Sequence, residues 1–191
     1  MPDHDHGSTI SHSDLDKYRN YLKFLARTHL SRYYHGKVDP SDIVQQSMLQ
    51  ALNTSDQYRG TTEQEKLAWL RKILVHTVSH EVRDLHAQKR DINREQSIEQ
   101  EIEESSFVLD RFLVDSQPSP GQQAWHHERN LALANALELL PTSQRTVIVM
   151  KYWHEMSLRQ IAESLNQPIA TIAALMHSST KSLKSSLRNI Q

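Results

Sequence analysis

Four absences frame this 191-residue chain. It has no cysteine, which excludes disulfides, thiolate metal sites and cysteine nucleophiles. The lack fits a reducing cytoplasm. It has only four glycines, Gly7, Gly36, Gly60 and Gly121, and none are spaced as G-x-G-x-x-G or a Walker loop. Glycine-cradled phosphate binding is therefore excluded. Neither sign of charge is in excess: 22 Lys and Arg stand against 23 Asp and Glu, a net charge of −1. A uniformly basic nucleic-acid coat and an acidic disordered tail are both excluded, while local patches are not. No apolar run approaches the roughly 18 residues needed to span a bilayer. The polar, His-rich start, Met1 to Ser13, is not a signal peptide. The expectation is a cytoplasmic protein with no membrane insertion.

What is present is helical patterning, so the expected fold class is all-α, with two small helical domains. Leu15, Tyr18, Leu22, Leu25 and Leu30 recur at steps near three or four, which predicts a helix over 13–34. Ser13 with Asp16 fits its N-cap and first-turn acid. Asp39-Pro40 starts a second helix, since Asp caps and Pro is tolerated at the first position. Ile43, Met48, Leu49 and Leu52 are expected on its buried side. Asn53 to Thr62 reads as a loop. A third helix runs from about Thr62 to Lys89, with Leu67, Leu70, Ile73, Leu74 and Val78 facing the core.

Then the composition changes. From Asp91 to Gly121 there are eight acids and two bases (Arg94 and Arg111), a balance of −6. The stretch ends in Ser116-Gln117-Pro118-Ser119-Pro120-Gly121. It predicts an acidic linker, helical near Phe107 to Leu113. The expected domains are a flexible tail over 1–12, a helical domain over 13–90, the linker over 91–121 and a second helical domain over 122–191. In that domain, helices are expected over 122–140, 142–153, 157–165 and 169–189, with breaks at Pro141 and at Asn166-Gln167-Pro168.

Two segments carry chemistry. Ser157 to Ile172 has the spacing of a helix-turn-helix: Ile161, Leu165, Ile172 and Met176 suit the inside of the corner, Ala162 allows close crossing, and Asn166 tolerates a left-handed turn. Such a unit presents its second helix to the DNA major groove. Met156 to Gln191 holds four bases and one acid, a balance of +3 suited to a few phosphate contacts. The early recognition helix is bland, with Ala170, Ala173, Ala174 and Leu175, so sequence reading rests on Thr171, His177 and Ser178. Leu175 is expected to be exposed there. In the first domain, Lys66 to Arg90 holds six bases and two acids, with His76, His80 and His86 interleaved and Trp69 near the polar loop. A basic helix beside such a loop suits capture of unstacked bases; it equally suits a solvated charged face with a core Trp.

Three motifs occur in order: Asp39-Pro-Ser-Asp42-Ile-Val-Gln45-Gln46, then Ala68-Trp69-Leu70-Arg71-Lys72-Ile73, then Leu140-Pro141-Thr-Ser-Gln144-Arg145 before the helix-turn-helix. Together they resemble the bacterial extracytoplasmic-function sigma factors, which direct RNA polymerase to promoters. The resemblance implies a non-catalytic specificity subunit with sigma regions two and four, and with no cofactor, metal or catalytic residue. It implies core polymerase bound by Asp39, Asp42, Gln45 and Gln46. It implies a minus-ten element met by Asn53, Gln57, Trp69, Lys72, His76, His80, Arg83 and Arg90, and a minus-thirty-five element met by Thr171, His177, Ser178, Lys181 and Lys184. Promoter DNA would be bound both as duplex and as opened strand, and an anti-sigma protein is a further partner compatible with the family. Gln46 departs from the family, where an acid is common. Ala173, Leu175 and Ser178 depart from the Lys or Arg usual near them. The acidic linker is expected to compete with DNA through Glu99, Glu101, Glu103 and Glu104.

Two rivals need stating. A duplex-DNA regulator acting without polymerase would need only the second domain. A metal protein or hydrolase is suggested by 12 histidines. His76 and His80 are spaced i, i+4, but Thr77 stands where the zincin motif needs Glu, and no third ligand is placed.

Overall fold

In a computed structural model of the chain, residues 11–33, 38–86, 92–113 and 123–188 are described. Among them there are nine α-helices, one short 3-10 turn and no strand. The chain divides into two compact units, 1–103 and 104–191.

The first unit opens with α1 (His12–Asp16) and α2 (Arg19–Tyr33). The single helix expected over 13–34 is thus two, with a turn at Lys17 and Tyr18. The cap is also two residues earlier than expected. Ser11 Oγ accepts from the Asp14 amide at 3.2 Å and the Asp14 carboxylate accepts from the Ser11 amide at 3.1 Å, a reciprocal capping box. Ser13 and Asp16 have the same spacing. In the observed register Leu15 and Tyr18 are buried, and Asp16 pairs with Arg19 at 3.0 Å. The core of α2 is Tyr21, Leu22, Phe24, Leu25, Ala26 and Leu30.

Helix α3 (Pro40–Asn53) starts as expected, with Asp39 Oδ1 accepting from the Ser41 amide at 2.8 Å and Pro40 in its first turn. It buries Ile43, Val44, Ser47, Met48 and Ala51. Leu49 was expected on this side but is 52% exposed. It falls seven residues after Asp42, on the polar face, so helical rotation carries it away from the core. The 3-10 turn Ser55–Gln57 follows, then α4 (Glu63–His86). Glu65 fastens the start of α4: its carboxylate accepts from the amides of Thr61 (2.8 Å) and Thr62 (3.0 Å), and its amide donates to Thr62 Oγ1 at 3.2 Å. Helix α4 packs on α3 and α2 through Leu67, Leu70, Leu74, Val78 and Val82, all essentially buried. Each such side chain contributes about 1.5–3 kcal/mol by leaving water.

The acidic stretch is helical well beyond the part expected: α5 runs from Ile92 to Leu113. Its residues to Glu103 belong to the first unit and those from Glu104 to the second. Ile98, Ile102 and Leu109 are buried, with Ser105 completing the stripe at helical steps. In the first unit Glu101 meets the buried His29 imidazole at 2.8 Å, and Glu103 lies 3.6 Å from Arg71, which also donates to the Tyr21 hydroxyl at 3.1 Å. Two of the four glutamates expected to compete with DNA are therefore paired here.

The second unit adds α6 (Gln123–Leu139), α7 (Thr142–Tyr152), α8 (Leu158–Ser164) and α9 (Ile169–Arg188). Its core includes Leu133, Leu137, Val147, Ile148, Ile161 and Ile172. The Arg145 guanidinium is buried and donates to the carbonyls of Glu138 (2.8 Å) and Leu140 (3.5 Å), closing the carbonyl end of α6. The Trp153 indole donates to Ser105 O at 3.0 Å. No helix among the described residues is long and apolar enough to cross a membrane.

Candidate nucleic-acid interface

The helix-turn-helix is built by α8 and α9. Ser157 caps α8 through a reciprocal pair with Gln160: Gln160 N donates to Ser157 Oγ at 3.3 Å and Ser157 N donates to Gln160 Oε1 at 2.8 Å. The helix stops because Asn166 takes a left-handed conformation (φ 50°) and the Gln167 amide donates to Ala162 O at 2.9 Å. Pro168 then leads into α9. Val147, Ile161, Ala162 and Ile172 form the buried corner, and Leu165 and Met176 pack against it. Leu175, expected to be exposed, is half-buried against the same cluster. It lies three residues after Ile172, on the inner side of α9. The Ser179 hydroxyl, fully buried, donates to Leu175 O at 2.6 Å and Gln144 O at 3.3 Å, tying α9 to α7.

Of the residues assigned to duplex recognition, Thr171, His177, Lys181 and Lys184 are exposed. His177, Lys181 and Lys184 share one face of α9, and Thr171 lies at the edge of its first turn. Ser178 is half-buried and its hydroxyl donates to Leu175 O at 3.0 Å within its own helix. The outer face of the first two turns is Ala170, Ala173 and Ala174, with Ile169 53% exposed beside them.

In the first unit, Asp42, Gln45 and Gln46 are exposed on one face of α3, and Leu49 joins them. Asp39 is also exposed, but its carboxylate serves the helix start. The Ser41 amide holds its carboxyl below the ordinary carboxylate value. Asn53, expected in a loop, is the last residue of α3, and Gln57 ends the 3-10 turn that follows; both are exposed.

Along α4, Trp69, Lys72, His76, His80 and Arg83 follow at steps of three or four, and so line one face. This face lies opposite Leu67, Leu74 and Val78 on the helix. Lys72, His76 and His80 are exposed, while Trp69 and Arg83 are half-buried. Trp69 is neither a fully buried core residue nor a free one. Arg90 lies outside the described residues. Sequence reasoning missed Tyr58. Its ring centroid is 4.9 Å from that of Trp69 at an interplanar angle of 39°, and its hydroxyl donates to Thr62 O at 3.3 Å. The phenol lies over Gly60, where any Cβ would overlap its ring and oxygen. The signal was an aromatic two residues before a glycine inside an otherwise polar loop. Burial pushes the Tyr58 phenol above its ordinary value, and Glu65 and Glu63 add to the shift. It is neutral at physiological pH and offers an apolar face beside the indole.

Among the described residues no group of three or more His, Asp or Glu is placed to hold a metal ion. The arrangement in the first unit is thus one aromatic pair continued by cations and imidazoles, a surface for bases and phosphates. In the second unit it is a helix-turn-helix with cations toward one end.

Comparison with known proteins bears most directly on the second unit. The family model described as Sigma-70, region 4 matches residues 130–187, which contain the helix-turn-helix. The ECF RNA polymerase sigma factor SigW of Bacillus subtilis (strain 168) is 38% identical over 65 residues, 32% of this chain and 35% of that protein. The ECF RNA polymerase sigma-E factor of Haemophilus influenzae is 25% identical over 158 residues, 83% of this chain and 77% of that protein. The chain thus spans about a third of the first relative and about three quarters of the second. The second unit thus matches the sigma-70 region 4 family, and the chain is similar in sequence to two ECF RNA polymerase sigma factors.

Proposed function

We propose that the chain is an alternative sigma factor of the cytoplasm. In this reading it binds core RNA polymerase, positions promoter DNA and stabilises the opened strand, with no catalysis of its own. A helix-turn-helix alone would serve any duplex-DNA regulator. What carries the fuller reading is the α4 face from Trp69 to Arg83, which continues the Tyr58–Trp69 aromatic pair with cations and imidazoles in the same chain. Bases stack on aromatics only once they are unpaired, so this surface suits an opened strand rather than a duplex.

The roles divide by element. Asp42, Gln45 and Gln46 on α3 present hydrogen-bonding groups to the polymerase, with Asp39 at the start of that helix. Asn53 at the end of α3 and Gln57 in the 3-10 turn, with Trp69, Lys72, His76, His80, Arg83 and Arg90, take the minus-ten element. Thr171, His177, Ser178, Lys181 and Lys184 on or beside the outer face of α9 take the minus-thirty-five element, with Ser178 limited to its remaining acceptor capacity. The test is co-migration of the full chain with core polymerase on a sizing column, followed by run-off transcription. Co-migration and promoter-dependent transcripts are expected. A folded chain that binds duplex DNA but not a closely related core polymerase would instead be a stand-alone regulator.

A further inference from the structure

The first two turns of α9 are where a helix-turn-helix brings side chains to base edges. From Pro168 to Met176 this chain has no Arg, Lys, Asn, Gln, Asp or Glu. The side chains that read guanine, adenine or cytosine by paired hydrogen bonds are therefore absent at the reading position. What stands there is mainly apolar: Ile169, 53% exposed, the methyls of Ala170, Ala173 and Ala174, and Thr171, which brings one methyl and a single hydroxyl. In the major groove the one base feature that gains from such a surface is the C5-methyl group of thymine.

Charge decides between DNA and a protein as the occupant of this face. Arg159 on α8 and Lys181 and Lys184 on α9 are all exposed, and Glu163 is the only acid from Met156 to the last residue. Cations near an uncharged reading surface match a duplex, whose phosphates border its groove. They provide position without sequence information.

We propose that α9 recognises thymine by apolar contact, led by Ile169, while Arg159, Lys181 and Lys184 hold the phosphates. The specificity of the second unit is then for thymine methyls at particular steps. This rests on the reading of that unit as the promoter-binding one.

Deoxyuridine pairs as thymine does and lacks only the methyl, so the test can be made in the DNA. Duplexes are selected from a randomised pool by the full chain, both free and assembled with core polymerase. The recovered upstream element is resynthesised with thymine or with deoxyuridine, and both affinities are measured. Removing each contacted methyl is expected to weaken binding about fourfold. Ile169→Ala, at an exposed position, is expected to shrink the thymine-to-uracil ratio and leave the salt dependence unchanged. Lys181→Ala is expected to do the reverse, lowering the log–log salt slope by about 0.9 with the ratio intact. Equal affinity for thymine and deoxyuridine duplexes overturns the proposal, as does an Ile169→Ala chain with an unchanged ratio. If core polymerase is not bound, the sigma reading fails, and the ratio measured on the free chain still decides this proposal.

Discussion

The two units present opposite surfaces. In the first, the α4 face is aromatic at one end and cationic or imidazole-bearing along its length, with Lys72, His76 and His80 exposed. In the second, the leading turns of α9 expose Ile169, Ala170, Thr171, Ala173 and Ala174, with no charged group, and the cations lie toward its far end and on α8. In the proposed function the difference corresponds to two states of DNA. Unpaired bases expose faces that stack on Trp69 and Tyr58, and their flexible backbone follows a line of charge. A duplex hides those faces, so α9 has only groove edges to touch and its grip comes from phosphates.

The sharpest test of that separation is to empty one core at a time. Leu74→Ala and Ile172→Ala each remove a fully buried side chain from a different unit. Each is expected to destabilise its own unit by about 2–5 kcal/mol. Hydrogen exchange followed by peptide should show faster exchange in that unit alone; loss of protection in both would mean the units do not unfold independently.

Next in size is the separation of docking from strand capture. Trp69→Ala should remove about 1–3 kcal/mol of base stacking. It should lower promoter opening, read by permanganate reactivity of unpaired thymines, more than core binding. Asp42→Lys should do the opposite, weakening core binding about tenfold or more by charge reversal. Normal core binding by the Asp42 variant would show that this face of α3 is not the docking face.

A smaller effect is expected from Gly60→Ala. The added Cβ meets the Tyr58 phenol, so that ring must leave its place beside Trp69. Strand capture should fall about threefold to tenfold, by loss of part of one stacking contact, with little change in duplex affinity. An unchanged rate of opening would remove Tyr58 from the capture surface.

The smallest effect is one of pH. Hydrogen bonds from the Ser41 amide, and from the Thr61 and Thr62 amides, hold Asp39 and Glu65 below the ordinary carboxylate values. A depressed carboxyl adds stability at pH above its unfolded value and loses it as pH falls through the folded one. The first unit should therefore loosen at the starts of α3 and α4 as pH drops below about 4. The Glu65→Gln variant should lose part of this dependence in amide exchange at those helix starts.

Legibility differed within the same molecule. The helix-turn-helix was readable residue by residue, from the Ser157 start to the left-handed Asn166, because caps and turns depend on neighbours within a few positions. The apolar stripe of α5 was also present, as Ile98, Ile102 and Leu109, but the six acids within that helix concealed it and the segment read as a linker. Its outcome depended on hydrophobic partners outside the segment. Leu49 and Leu175 were each assigned the wrong exposure for a related reason. An apolar residue near the edge of a helical stripe is settled by the neighbouring helix, not by its own spacing.

Local hydrogen bonding and periodicity were enough to place the start of α3, the helices and turn of the second unit and the order of the motifs, but not the break at Lys17 and Tyr18 or the length of α5. Only the tertiary structure decided that Glu101 and Glu103 pair with His29 and Arg71, that Tyr58 lies over Gly60 against Trp69, and that Ile169 is left in solvent at the front of α9. Those facts depend on which distant side chains compete for the same buried space.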